Sequence, residues 1–145
     1  MTIGIHNRQR AVAIDTTAVR KRVLQIMVYL GHSDQELSVV FGSDRLLQEL
    51  NRTYRHKDRP TNVLAFPQSP TYAGEPPTSM LGDVIVALPT AAREAHDLQQ
   101  SLEERVVYLL LHGILHLLGH DHEGSATQRR RMEALERQVL AHLQT

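Results

Sequence analysis

Apolar residues recur along this chain at two spacings, and the alternation between them lays out its elements. Val19, Val23, Ile26, Met27 and Leu30 fall three or four residues apart, as on one face of an α-helix, after capping side chains at Asp15–Thr17 and before Gly31. Ser43 opens a second helix with Leu46, Leu47 and Leu50 as its buried stripe, and Pro89 suits the first turn of a third, over about Thr90 to Asp97. Ser101 with Glu104, and Ser125 with Gln128, set a hydroxyl and a long polar side chain three residues apart, the signature of a capping box. The first opens a long helix through Val106, Val107, Leu110 and Leu111; the second opens a final helix with Met132, Leu135, Val139 and Leu143 facing the core.

Short apolar runs bounded by turn residues read as strands at Ile3–His6, Leu37–Phe41, Val63–Phe66 and Val84–Leu88, with Ala11–Ile14 as a further short one. The run from Val84 is unbroken, as in a strand buried on both faces. Pro67 to Met80 holds four of the six prolines and reads as an irregular surface loop, plainly a tolerated insertion, more sharply a lid beside a site. Strands interleaved with helices early and followed by helices late predict an α/β (mixed α+β) fold. We expect a single domain over residues 1–145, with a mixed sheet of about four strands covered by helices and the long apolar helix lying centrally against it. Strand order is not readable at this level.

Composition narrows the chemistry. The 145 residues suffice to bury a core without staples, and the absence of cysteine leaves only His, Asp and Glu to hold any metal. Sixteen basic residues balance sixteen acidic ones, so any anion site must be a local patch. The first ten residues hold no apolar run of signal-peptide length, and no window approaches the roughly 18 apolar residues of a membrane span. A soluble, cytoplasmic protein with no membrane partner is expected.

Four of the nine histidines crowd into LLLHGILHLLGHDHEG, Leu109 to Gly124. His112 and His116 leave one helix face a turn apart, Gly119 can end that helix, and the returning chain brings His122 towards them. Three neutral imidazoles on a divalent ion leave one tetrahedral position open, the catalytic arrangement for zinc. The spacing His-x-x-x-His-x-x-Gly-x-x-His is that of metzincin proteases, but those require glutamate directly after the first histidine, and here stands Gly113. The metal geometry survives without the peptidase's general base; such an ion can still polarise a phosphoryl or carbonyl oxygen. His120 reads as an exposed or outer residue rather than a fourth ligand, and Asp121 either shapes the turn or hydrogen-bonds a ligand imidazole. Upstream, Arg52, Arg55, Lys57 and Arg59 put four cations in eight residues. They suit the end of the preceding helix, and equally a phosphodiester, which arginine can grip with a bidentate fork. Arg129–Arg131 reads as a solvated face.

Two separated stretches, YRHKDRPTNVLAFP from Tyr54 and HGILHLLGHDH from His112, together with Leu81-Gly82-Asp83, resemble the YbeY family of bacterial rRNA-maturation endoribonucleases. The resemblance runs from about Leu37 to Leu140. It implies a single-domain α/β fold and a zinc-dependent, single-strand-specific endoribonuclease that matures the 3′ end of small-subunit rRNA and serves ribosome quality control. It further implies one Zn2+ per chain on His112, His116 and His122, with Arg55 as the functional arginine. Lys57 and Arg59 would position the RNA backbone, and single-stranded rRNA and the ribosome or its proteins would be the partners. Two positions depart from the family pattern: Ala65 stands where many members have serine, and His120 where many have tyrosine. Two alternatives accompany this reading. One is a ribosome-associated assembly factor with a structural zinc, in which His112→Ala would damage stability and ribosome association together. The other is a metalloprotease-like hydrolase, disfavoured by Gly113.

Overall fold

A computed structural model describes residues 3–68, 79–120 and 124–143. Its elements in chain order are β1 (Ile3–Asn7), α1 (Thr16–Tyr29), β2 (Glu36–Gly42), α2 (Asp44–Arg55), β3 (Val63–Pro67), β4 (Met80–Ala87), α3 (Leu88–Asp97), α4 (Leu102–Leu117) and α5 (Ala126–Leu143). The four strands form one mixed sheet in the order β1-β2-β4-β3, with β1, β2 and β4 parallel and the edge strand β3 antiparallel to β4. This is the mixed, helix-covered sheet that the periodicity predicts.

Strand alternation sorts the core into two layers. Val84 and Val86 of β4 belong to the large cluster shared with α1, α4 and α5, whereas Ile85 and Ala87 join Leu47 of α2 and Leu64 of β3 on the opposite face. A strand with both faces covered has no polar side to show, which is why its sequence is continuously apolar from Val84 to Ala87.

The capping signals act as read. Asp15 accepts from the Thr17 and Ala18 amides, Ser43 from Leu46, and Ser101 and Glu104 satisfy each other's backbone amides at 3.0 Å. Ser125 and Gln128 do the same at the start of α5. Such caps contribute about 1 kcal/mol each.

Two expectations need correction. Ala11–Ile14 is not a strand: the Gln9 side-chain amide donates to the Val12 carbonyl and accepts from the Val12 N–H, so the segment folds on Gln9 instead of joining a ladder. β4 begins at Met80 and ends at Ala87, because Leu81-Gly82-Asp83 pairs with Pro67 and Phe66 of β3 and with β2, while Leu88 already opens α3. Both ends of the proline-rich stretch therefore lie in strands, Pro67 in β3 and Met80 in β4. Residues 69–78, on which the choice between lid and insertion turns, lie outside the described residues. α2, opened by Ser43, runs through Asn51 and Tyr54 to Arg55 and carries Arg52 and Arg55 in its last turn.

Candidate functional site

α4 carries the first two candidate ligands. His112 and His116 sit one turn apart on its partly exposed face, with ring centroids 4.9 Å apart. Between them, Gly113 is buried against the sheet: a Cβ there would lie 2.6 Å from Cγ1 of Val84 on β4. The glycine is thus a packing requirement that seats α4 on the sheet. At the position where a peptidase of this spacing needs its glutamate, any side chain would have to displace Val84. Gly119 adopts φ +96°, the left-handed conformation that ends the helix where the sequence predicts. His120 is half-buried and its amide donates to the Leu115 carbonyl. Asp121 and the third candidate ligand, His122, lie outside the described residues.

Arg55 arrives from the other side. It is the last residue of α2, and His56 follows in a left-handed conformation, φ 57°. Asn51, 4% exposed, organises the turn: its carbonyl accepts from the His56 and Lys57 amides and its side chain donates to the Arg59 carbonyl at 3.1 Å. α2 packs on the sheet face opposite α4, yet Arg55 lines the same cleft as the two histidines. β3 is the edge strand, and around that edge the two faces of the sheet communicate. The cleft, about 360 Å³, is walled by Arg55, Asn62, Ala65, His112, Gly113 and His116 among others. Lys57 and Arg59 lie on the adjoining turn and His120 just past α4, and none of the three is among the residues walling the cleft.

Behind the cleft runs a polar chain. Asn62 donates to the Glu94 carboxylate at 3.1 Å, Arg105 pairs with Glu94 at 2.9 Å, and the Arg105 guanidinium lies 4.8 Å from the Tyr108 ring centre. Tyr108 stacks on His112, centroids 6.2 Å apart, and lines one cavity with Glu136, whose Oε2 stands 3.6 Å from His112 Nδ1. Burial, and then the negative charge of Glu136, push the Tyr108 hydroxyl pKa up.

Sequence reasoning missed Asn51 and Glu136. Asn51 carried no warning beyond its place on α2. Glu136 did: it falls four residues after Met132 and three before Val139, a charge within an apolar stripe.

Among the described residues no three His, Asp or Glu side chains converge on one point; His112 and His116 are a pair of imidazoles a helical turn apart, with the Glu136 carboxylate behind His112. By its fold this is a mixed α/β protein, and its cleft is walled by two imidazoles and a guanidinium. Comparison defines the particular family. The sequence profile of Endoribonuclease YbeY matches residues 4–144. Endoribonuclease YbeY of Geobacter metallireducens is 48% identical over 145 residues, spanning 99% of this chain and 97% of the relative. That of Geobacter sulfurreducens is 44% identical over the same spans. This chain therefore belongs to the YbeY family of endoribonucleases. The solution structure of TM1509 from Thermotoga maritima matches with a TM-score of 0.58 at 23% identity, covering 98% of this chain and 91% of the other, and shares the fold. Among the described residues no helix is long and apolar enough to cross a membrane.

Proposed function

We propose that the protein is a zinc-dependent endoribonuclease acting on single-stranded RNA in the maturation of small-subunit rRNA and in ribosome quality control, its 145 residues forming one catalytic domain. The observation that carries this reading is the cleft in which Arg55 from α2 faces His112 and His116 from α4. His112 and His116, with His122, would hold one Zn2+, which when bound supplies a Lewis acid beside the scissile phosphate.

The chain's own residues do the rest. Arg55 presents a planar fork of donors to the non-bridging phosphate oxygens and stabilises the charge that grows on them in the transition state. Its footing on the Asn51-held turn limits the reorganisation this demands. Asn62, tied to Glu94, offers the opposite wall a fixed amide, and Lys57 and Arg59 extend positive charge beyond the cleft along the path of the RNA backbone. Ala65 leaves the β3 wall without a hydroxyl, so no nucleophile or proton carrier stands there.

The test is a titration of Zn2+ into chelator-stripped protein while cleavage of a single-stranded RNA oligonucleotide is followed, with wild type and Arg55→Ala compared. Cleavage that returns with metal in the wild type and not in the variant joins both motifs into one site. Metal-replete protein that leaves the RNA intact points instead to the assembly-factor alternative.

A further inference from the structure

The buried stripe of α5 runs Met132, Glu136, Val139, Leu143, and the glutamate is its one ionisable member. Its side chain is 6% exposed. A carboxylate removed from water in an apolar stripe costs several kcal/mol unless donors meet it, and an aliphatic residue there would complete the core. Both candidate donors come from α4. Tyr108 lines one cavity with Glu136, and His112 presents Nδ1 to Oε2 at 3.6 Å, both of these atoms being shielded from solvent. Closing that gap to hydrogen-bond length takes a shift of about 0.7 Å. Tyr108, stacked on the His112 ring and backed by Arg105, restricts where the imidazole can turn.

We propose that Glu136, assisted by Tyr108, is a positioning residue for the metal site: its carboxylate takes the Nδ1–H of His112, which fixes the ring's tautomer and orientation and leaves Nε2 as the nitrogen offered to the cleft. A neutral imidazole binds metal through whichever nitrogen lacks the proton, so a carboxylate that holds the proton on Nδ1 selects the other nitrogen before any ion arrives. The C-terminal helix thereby tunes a site to which it contributes no ligand. This inference rests on the reading of His112 as a metal ligand and deepens it.

The experiment measures Zn2+ affinity by competition with a chromophoric chelator, and the visible spectrum of the Co2+-loaded protein, for wild type, His112→Ala, Glu136→Gln and Tyr108→Phe. In parallel, 15N–1H correlation spectra of the metal-free proteins report the His112 tautomer. Glu136→Gln keeps the shape but replaces the obligate acceptor with an amide that can also donate. We expect its affinity to fall about 10- to 100-fold, its Co2+ spectrum to change, and the Nδ1–H tautomer of the wild type to give way to a mixture. Tyr108→Phe should lose affinity to a smaller extent. Wild-type affinity, spectrum and tautomer in a folded Glu136→Gln overturn the inference; should that variant not fold, an unchanged Tyr108→Phe overturns it. Wild-type protein that binds no Zn2+, or His112→Ala that binds it undiminished, overturns the underlying site reading instead.

Discussion

Arg55 and Gly113 show how differently two single residues can matter to the same cleft. Arg55 is exposed and contributes its fork to the cleft from the end of a helix, so Arg55→Ala should leave the thermal midpoint unchanged. Its single-turnover cleavage of single-stranded RNA should fall about 100- to 1,000-fold, as for loss of one preorganised charge-stabilising donor. Gly113 has no group to offer chemistry, yet a methyl in its place meets Val84 at 2.6 Å. Gly113→Ala should therefore cost about 1–3 kcal/mol of stability in thermal or denaturant melts. Adding Val84→Ala should restore part of the loss, a coupling that a double-mutant cycle measures directly. The sequence shows that Gly113 is not a glutamate; only the packing shows that a side chain there would collide with Val84.

At the scale of elements, the site depends on how α2 is pinned at both ends. Its C-terminal turn hangs on Asn51, so Asn51→Ala leaves the Arg59 carbonyl without its side-chain donor. The expected loss is about 1–3 kcal/mol, with impaired RNA cleavage as the Arg55 turn loosens. At its N-terminus, Asp44 binds the Thr90 hydroxyl at 2.6 Å and Arg93 at 2.8 Å, tying α2 to α3. Burial alone would push the Asp44 carboxyl up, but Thr90 and Arg93 outweigh it and hold it below its ordinary value of 3.8. The Ser101 amide, with the Ser101 hydroxyl beside it, holds Glu104 below its ordinary 4.5 in the same way. A carboxylate with a lowered folded pKa adds stability that is fully present above its ordinary value and is lost as pH falls through the lowered one. Thermal midpoints should therefore fall on acidification below these values. Asp44→Asn should be the less stable protein at neutral pH and should show a shallower acid slope.

Over the whole molecule, the two-layer core is built from contacts among apolar side chains. Chelator treatment should abolish RNA cleavage while circular dichroism still reports a folded α/β protein. Zn2+ at 100 times its dissociation constant should then add about 2.7 kcal/mol to stability, read as a rise in the thermal midpoint. A chain that unfolds on chelation would move the metal from the chemistry to the scaffold.

The helices, their caps, the doubly buried strand and the pairing of His112 with His116 were all legible in the linear chain. Each depends on residues within a few positions of one another, where local geometry leaves little choice. The Leu109–Gly124 stretch likewise announced a ligand pattern without its glutamate. Three features needed the folded chain: the strand order, the meeting of Arg55 with the histidines around the β3 edge, and Glu136 behind His112. In the last two, groups 57 and 24 residues apart from His112, by position number, are joined through packing. Such long-range contacts are selected by the total burial of the sheet and its helices, and that sum is not written in any one stretch of sequence.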